Sequence, residues 1–435
     1  MNRRLALSIG LGALLVGRIA SAQEVTIGYQ GLPYKASGEN NTGIQIADGV
    51  LLHSGIGVEA GYDTNVFYAP NNLVGSSIFR VMPYLELTNA TRTGPTSKEL
   101  TFDAHAGLQY RHYGNSEVSS QYADAWNPNA GLSLSLGGAQ FGFGVADVFA
   151  RVEDPPYANP GNLNANGVPN GAPAIERTNN QASIEGRWSP GGGRLTTTLR
   201  FTNMVNIYDN GGPGSYNYAN AISNTLMLDV AWKWLPKTAV FLNISQSFVD
   251  YTNSGLASAN FLSNSYPLYV TAGLRGLLTE KTSAVLTLGY VNGFYSNGAS
   301  TGGFLGSTYL DLAFTARLTQ LSRAVVGYRH DFINAVISNF AYEETVYASY
   351  VQQIAGRLGL DLSGRYAYLS YQGQTGDPTQ AGRVDNYFQI GATLDYFLRN
   401  WAYLGVGYSV LDNHSNIPGN DYLKQQVFAR LGVTY

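Results

Sequence analysis

Cysteine is absent from the whole chain, so no disulfide can staple the product and no lipid can be attached at a cysteine behind a signal. Charge is scarce as well. Only 13% of residues are Asp, Glu, Lys or Arg, less than usually keeps a soluble domain of this size dispersed. Beyond residue 22 no uninterrupted apolar run comes near the roughly 20 residues that a membrane helix needs. The histidines (His53, His105, His112, His330, His414) are scattered without metal-ligand spacing, so no metal and no cofactor are expected. No nucleophile–base pairing can be placed, and the expectation is a protein that is not an enzyme. GIGVEAG at Gly55–Gly61 resembles a nucleotide loop only superficially, because it lies within an alternating stretch and opens no helix. Gly191-Gly192-Gly193 follows Pro190 and reads as a turn.

The first residues carry a secretory signal. Arg3 and Arg4 form the charged start, Leu5 to Val16 the apolar core, and Ala20-Ser21-Ala22 the cleavage site before Gln23. Three parts are expected: a signal peptide over 1–22, a polar periplasmic leader over 23–49 that would tuck into the mouth of the fold as a plug, and a structured body over 50–435. Cleavage removes three arginines and no acid, which leaves 23 basic against 29 acidic residues and a net charge of −6. A nucleic-acid partner would call for a basic face, so none is expected.

What the chain does have is glycine and tyrosine, 51 and 31 residues, set in a pattern of period two. The last thirteen residues, LKQQVFARLGVTY, show it most plainly. Leu423, Val427, Ala429, Leu431, Val433 and Tyr435 share one phase; Lys424, Gln426, Arg430 and Thr434 share the other, with Phe428 as the apolar exception. A strand sends alternate side chains to opposite faces, so this one has a greasy face and a mainly polar one. The alternation runs from Ile56/Val58/Ala60/Tyr62 to Leu404/Val406/Tyr408 before this final strand. It gives about 18 strands, with 16 as the other even count, and single-chain bacterial barrels require an even number. Three places resist the pattern. Pro83 cannot donate to a ladder and calls for a bulge. Asp147 shares a phase with Phe141, Phe143 and Val145 unless a bulge intervenes, and Glu344 and Gln352 share one with Val346, Ala348 and Tyr350.

Connections alternate between short (137–139, 235–238, 319–322, 355–356) and long (154–175, 209–220, 251–265, 296–306), with 89–98 as an exception among the short ones. Short periplasmic turns and long outer loops are the habit of outer-membrane barrels. A propeller would show a repeat of roughly 40 residues, and none is present. A sandwich would turn more often and would not line its second face with Asp, Arg and Tyr. The fold class expected is all-β: a transmembrane, antiparallel, up-and-down β-barrel in the outer membrane of a Gram-negative bacterium, wetted outside by lipid.

If the greasy phase faces lipid, the opposite phase lines the interior. On its first strands it carries Arg80, Glu86, Asp103, His105 and Arg111, and further on Glu185, Arg187, Arg200, Asp229 and Arg275. Asp311, Arg317, Arg329, Asp331, Asp361, Arg365 and Asp395 follow, together with Tyr84, Tyr113, Tyr269, Tyr347, Tyr387 and Tyr403. As pore-lining groups they would offer charges of both signs and flat rings suited to sugars; as wall they would form Arg–Asp ladders that hold register. Loop 154–175 has five prolines and no periodicity of its own. It would be either a surface loop or a constriction folded inward, as the third loop of diffusion porins does.

The C-terminal pattern Leu431, Val433, Tyr435 resembles the closing strand of outer-membrane barrels, which the barrel assembly machinery reads as its signal; the usual last residue there is Phe. GIGVEAGYDTNVFYAP, Gly55 to Pro70, resembles the first strand and loop of an outer-membrane β-barrel porin family associated with exopolysaccharide export loci. The resemblance implies a channel carrying secreted polysaccharide across the outer membrane, with periplasmic export proteins as partners. A general diffusion porin and a structural or adhesive surface barrel are the alternatives.

Overall fold

The computed structural model describes residues 43–89, 100–121, 125–138, 140–155, 171, 174–208, 216–259, 262–296, 307–354, 356–375, 380–399 and 401–435. A short strand β1 (Ile44–Ala47) precedes eighteen long ones. These are β2 (Val50–Asp63), β3 (Ser76–Thr88), β4 (Leu100–Tyr113), β5 (Ala125–Gly137), β6 (Phe141–Asp154) and β7 (Ile175–Trp188). Then come β8 (Leu195–Tyr208), β9 (Ala221–Leu235), β10 (Thr238–Tyr251), β11 (Leu268–Leu277), β12 (Thr282–Asn292) and β13 (Thr308–Thr319). The last six are β14 (Ser322–Asn334), β15 (Ser338–Ile354), β16 (Leu358–Thr375), β17 (Val384–Arg399), β18 (Ala402–Ser415) and β19 (Tyr422–Thr434). Each long strand pairs antiparallel with its neighbour in sequence, and β19 closes on β2 with Gln426 opposite Asp63 and Thr434 opposite Gly55. Eighteen strands thus form a closed barrel with no free edge along its wall, the architecture of bacterial outer-membrane proteins.

Below that seam the backbones of Ser54 and Tyr435 exchange two hydrogen bonds, at 3.1 and 2.8 Å. β1 folds back on β2 with Ile44 opposite Leu52, on the β2 edge that β19 leaves uncovered. The end of the expected leader is therefore part of the wall at the periplasmic rim. Its residues 23–42 lie outside the described residues, as do residues 1–22, where a signal is expected.

The exterior is apolar because the two-residue period holds along every strand. Leu132, Leu134 and Leu136 are exposed on β5, Leu199 and Phe201 on β8, Leu404 and Val406 on β18. Phe141, Trp188, Trp232, Trp401 and Tyr435 stand exposed at the end with the short turns, an aromatic girdle of the kind that sits at a membrane interface. No described helix is long and apolar enough to cross a membrane; the strands do so.

The three misfits resolve without the expected bulges. Pro83 stays in register opposite Ile56 on β2, while the ladder to β4 is interrupted between Val81↔Tyr110 and Tyr84↔Gly107 and resumes in the same register. A local gap in one ladder is enough to accommodate a missing donor. Asp147 keeps its outward phase opposite Ala182 and accepts a 2.9 Å hydrogen bond from Asn180. Glu344 also stays outward, paired with His330 at 2.5 Å and with the Tyr328 hydroxyl, while Gln352 is bonded by Tyr350. Partners on the same face, rather than a phase shift, satisfy these polar groups.

Phe428, the apolar exception of the last strand, points inward and is buried. Its ring lies where a Cβ on Gly407 would come within 2.2 Å, and its own Cβ is 2.7 Å from where one on Gly61 would sit. Glycine on both flanking strands makes the room.

Candidate functional site

The first outer loop, residues 64–75, folds back into the mouth of the barrel rather than out into solvent. Its anchor is Asn65, fully buried. The Asn65 amide donates to the carbonyls of Ala69 (2.8 Å) and Leu423 (3.0 Å), and its oxygen accepts from the Ala69 N–H (2.9 Å). One short side chain thus closes the loop on itself and ties it to β19. Asp63 completes the tie: its carboxylate meets the Lys424 ammonium at 2.9 Å, accepts from Gln426 at 2.7 Å and caps the Asn65 N–H at 3.0 Å. Both members of the ion pair are out of water, where such a pair holds only when its remaining groups are bonded too.

From that anchor the loop fills the mouth in two directions. Val66 and Phe67 pack against Ile78, Tyr113 and Val118 on one side. Tyr68 turns the other way, into a cluster with Ala367, Tyr387, Leu411 and Tyr422. The Lys424 ammonium lies 4.0 Å from the centre of the Tyr68 ring, and Tyr422 meets that ring edge-on at 5.1 Å. Tyr68 adopts φ +51°, a left-handed conformation that a bulky residue tolerates only where its surroundings enforce it. Burial, reinforced by the nearby Asp63 charge, pushes the Tyr68 phenol well above its ordinary value.

Other loops finish the closure. A second cluster joins Ile175 of β7 and Tyr208 of β8 to Ala219, Ala257 and Leu262 of the fourth and fifth outer loops, and to Ala341, Leu369 and Tyr371 of β15 and β16. At its centre is the seventh outer connection, Ala335-Val336-Ile337, three residues long and buried. Burial likewise pushes up the Tyr218 phenol in the fourth loop. The inner phase is buried at the outer ends of strands around the ring: Arg177, Ser223, Val249, Val291, Tyr309, Asp385 and Asn413 are all inaccessible. Toward the periplasmic ends the same phase stays buried on β2, β3, β17, β18 and β19, at His53, Glu86, Asp395, Tyr403 and Arg430, and opens on strands of the arc between β5 and β16. Ser133 and Ser135 of β5, Arg187 of β7, Lys233 of β9, Arg317 of β13 and Asp361 and Ser363 of β16 are exposed. Among the described residues the inner phase is therefore buried under the long loops and accessible, on one arc of the barrel, toward the short turns.

Most of the charged residues expected inside serve as wall. Arg80 bonds Glu59 at 3.1 Å between β3 and β2, Arg200 bonds Glu185 at 2.9 Å between β8 and β7, and Asp103 contacts His105 at 3.3 Å. Arg111 meets Glu153, and Glu86 is buried. Glu343 holds both Arg329 (3.4 Å) and Arg365 (2.5 Å) from the flanking strands. Asp229 and Arg275 are 3.9 Å apart, two strands from each other. Asp395 and Arg430 also pair across an intervening strand, at 2.7 Å. Gly405 of β18 lies between them, and a Cβ there would come within 2.0 Å of the Asp395 carboxylate. Tyr309 donates to Asp311, and Tyr269 to Asp331, each at 3.3 Å. Tyr387 and Tyr403 point inward but are buried, 2% and 4% exposed. Arg187, Arg317 and Asp361 are accessible and carry no ion pair among the described residues.

Sequence reasoning did not find Asp63, Asn65, Tyr68 or the role of Lys424. The Asp-Thr-Asn run that ends β2 was an available signal, since Asx residues there favour a turn closed by side chains. Loop 154–175 is described only at its ends, where Gly171 leaves 2.3 Å between its missing Cβ and the Phe67 carbonyl. Of the segment 159–170, where an inward constriction was one of two expectations, all lies outside the described residues. Among the described residues no group of His, Asp and Glu is arranged to hold a metal.

No protein-family model matches the chain, and no curated protein matches it. Among solved structures it is similar to OccAB4 of Acinetobacter baumannii, 11% identical over 88% of this chain and 98% of that one, with a TM-score of 0.43. It is similar to OpdO of Pseudomonas aeruginosa, 13% identical over 88% and 97%, with a TM-score of 0.44. The siderophore receptor PirA of A. baumannii is 9% identical over 88% and 80%, with a TM-score of 0.42. At scores this low, the chain's own strand pairing, and not these neighbours, establishes the closed eighteen-strand barrel.

Proposed function

We propose that this chain is an outer-membrane channel whose extracellular mouth is held shut by its first loop, and that it passes secreted polysaccharide outward from the periplasm. The observation that carries the channel reading is the contrast along the lumen of the arc between β5 and β16, accessible at the short-turn end and buried at the other, together with a first loop tied inward through Asn65 and the Asp63–Lys424 pair. Barrels of 16–18 strands are wide enough to hold water, so in this reading the inward-folded first loop is what stands between the lumen and a conducting pore. A chamber that opens to the periplasm accepts cargo from that side. Polysaccharide as the cargo is supported by the resemblance of Gly55–Pro70 to barrels of export loci. A general diffusion porin fits the same wall. Residues 1–22 act as the signal, the C-terminal Leu431, Val433 and Tyr435 as the assembly signal, and the open-phase side chains Arg187, Arg317 and Asp361 as pore lining in this reading.

The test is reconstitution in a planar bilayer and in liposomes. A channel gives discrete conductance steps, more frequent when the Asp63–Lys424 tie is broken. An inert wall gives none in either form and leaves the structural or adhesive barrel standing. Loss of extracellular polysaccharide on deletion, with small-solute uptake unchanged, separates exporter from porin.

A further inference from the structure

At the periplasmic rim the inner phase of one arc of the barrel is lined with cations. Arg187 is one residue from the end of β7, and Lys233, Arg275 and Arg317 are each two residues from the ends of β9, β11 and β13. Arg323 is one residue into β14. All five belong to the phase that faces the lumen. Arg187 shares its face with Glu185, Lys233 with the buried Ala231 and Arg317 with Thr315, and Arg323 is opposite Val351 on the inner face of β15.

Of the five, Arg275 is paired with Asp229, and the other four are not neutralised by a carboxylate. Asp229 is 3.9 Å from Arg275, and Glu185 is committed to Arg200. Glu280, in the turn after β11, is adjacent to Lys281. Arg187, Lys233, Arg317 and Arg323 are exposed and have no ion pair among the described residues. Outside this arc the opposite holds, with Glu343, Asp395 and Glu59 each bonded to arginine.

We infer that this rim is a collar that draws a polyanionic glycan into the periplasmic end of the lumen. The inference rests on the channel reading and gives its cargo a charge. Like charges in a concave, low-dielectric mouth focus the field and raise the local concentration of the opposite ion. Neighbouring strands are about 4.8 Å apart, so the arc from β7 to β14 runs roughly 34 Å along the wall. A single small anion would meet one or two of these side chains. A chain with a carboxylate or sulfate on successive sugars meets several, and keeps meeting them as it advances.

The experiment measures binding of the full mature barrel in detergent to three fluorescent probes of equal length: an oligogalacturonate, a neutral dextrin and a polyglutamate. The oligogalacturonate is expected to bind at least tenfold tighter than the dextrin in low salt, with affinity falling as salt rises. Substituting Arg187→Ser, Lys233→Ser, Arg317→Ser and Arg323→Ser together should remove at least tenfold of that affinity, and lysine at the three arginine positions should restore it. Equal binding of dextrin, or undiminished binding by the serine variant, overturns the proposal. Tighter binding of polyglutamate than of the acidic sugar also overturns it, in favour of an acidic protein docking at the rim. Conductance of the same preparation keeps the two readings apart. A barrel that binds the acidic sugar but never conducts retains the collar and loses the channel. One that conducts without preferring the acidic sugar keeps the channel and loses the collar.

Discussion

Thr225 and Lys233 belong to the same phase of β9, eight residues apart. Thr225 is buried and shares a 2.8 Å hydroxyl hydrogen bond with Ser247, whereas Lys233 is open to solvent. The contrast repeats on β7 between Arg177, buried against Asp154 at 2.8 Å, and the exposed Arg187. It repeats on β16 between Leu369 and Asp361. One wall with one alternation therefore has two environments, and what differs is the loop material packed against it at the outer end. On these strands an inward-facing polar group is a structural element under the loops and an accessible one toward the short turns, whereas Glu86, Asp395 and Arg430 stay buried at the short-turn end of theirs.

The comparison can be broken most directly at the first loop. Replacing residues 66–74 by two glycines removes Val66, Phe67 and Tyr68 from the mouth, and we expect at least a tenfold rise in open time in planar bilayers. An unchanged trace would mean that the loop does not seal the chamber. Next in size is the buried tie. Lys424→Met or Asp63→Asn alone leaves one buried charge or polar group without its partner, a destabilisation of roughly 3–5 kcal/mol for a buried pair. The pair of changes together should cost clearly less than the sum, and thermal unfolding in detergent for the four proteins decides it.

A smaller effect sharpens the contrast along the wall. Thr225→Arg forces a large charged side chain into packed surroundings, and overpacking alone costs about 1–3 kcal/mol. Ser135→Arg, on the same face but near the open end, should leave the unfolding temperature within a degree or two. Equal losses at the two positions would remove the distinction between cap and chamber. The mildest effect is alkaline. An unfolded first loop loses the Tyr68 proton near its ordinary pKa of 10.0, whereas the buried phenol keeps it to higher pH. The folded-state value is raised, so this contribution is complete below about pH 10 and is lost as pH rises further. Conductance events should become more frequent above that pH in the native protein and less so in Tyr68→Phe.

Much of the wall was legible because each strand states its own two faces. The eighteen strands, their order and the closing role of β19 follow from period-two patterning and from alternating connections. Pro83, Asp147 and Glu344 were legible as anomalies but not in their resolution, because a bulge and a same-face partner leave the same mark on a single strand. Asp147 needed Asn180 and Glu344 needed His330, and neither partner can be assigned without the register between strands. The inner charges could be placed on a face, yet whether Arg80 is wall and Arg187 is accessible depends on Glu59 bonding the one and on Glu185, beside the other, being taken by Arg200.

By itself the sequence determined the things that one segment can encode: which side chains share a face, where strands stop, and that the last residues form an alternating strand. Alternation is a property of consecutive backbone units, so it survives without knowledge of neighbours. Only the tertiary structure decided that the first loop turns inward, because its anchor joins residues 358 positions apart, Asn65 and Leu423. Contacts of that span come from closing the barrel, which brings its first and last strands side by side and leaves the loop between β2 and β3 poised over the mouth.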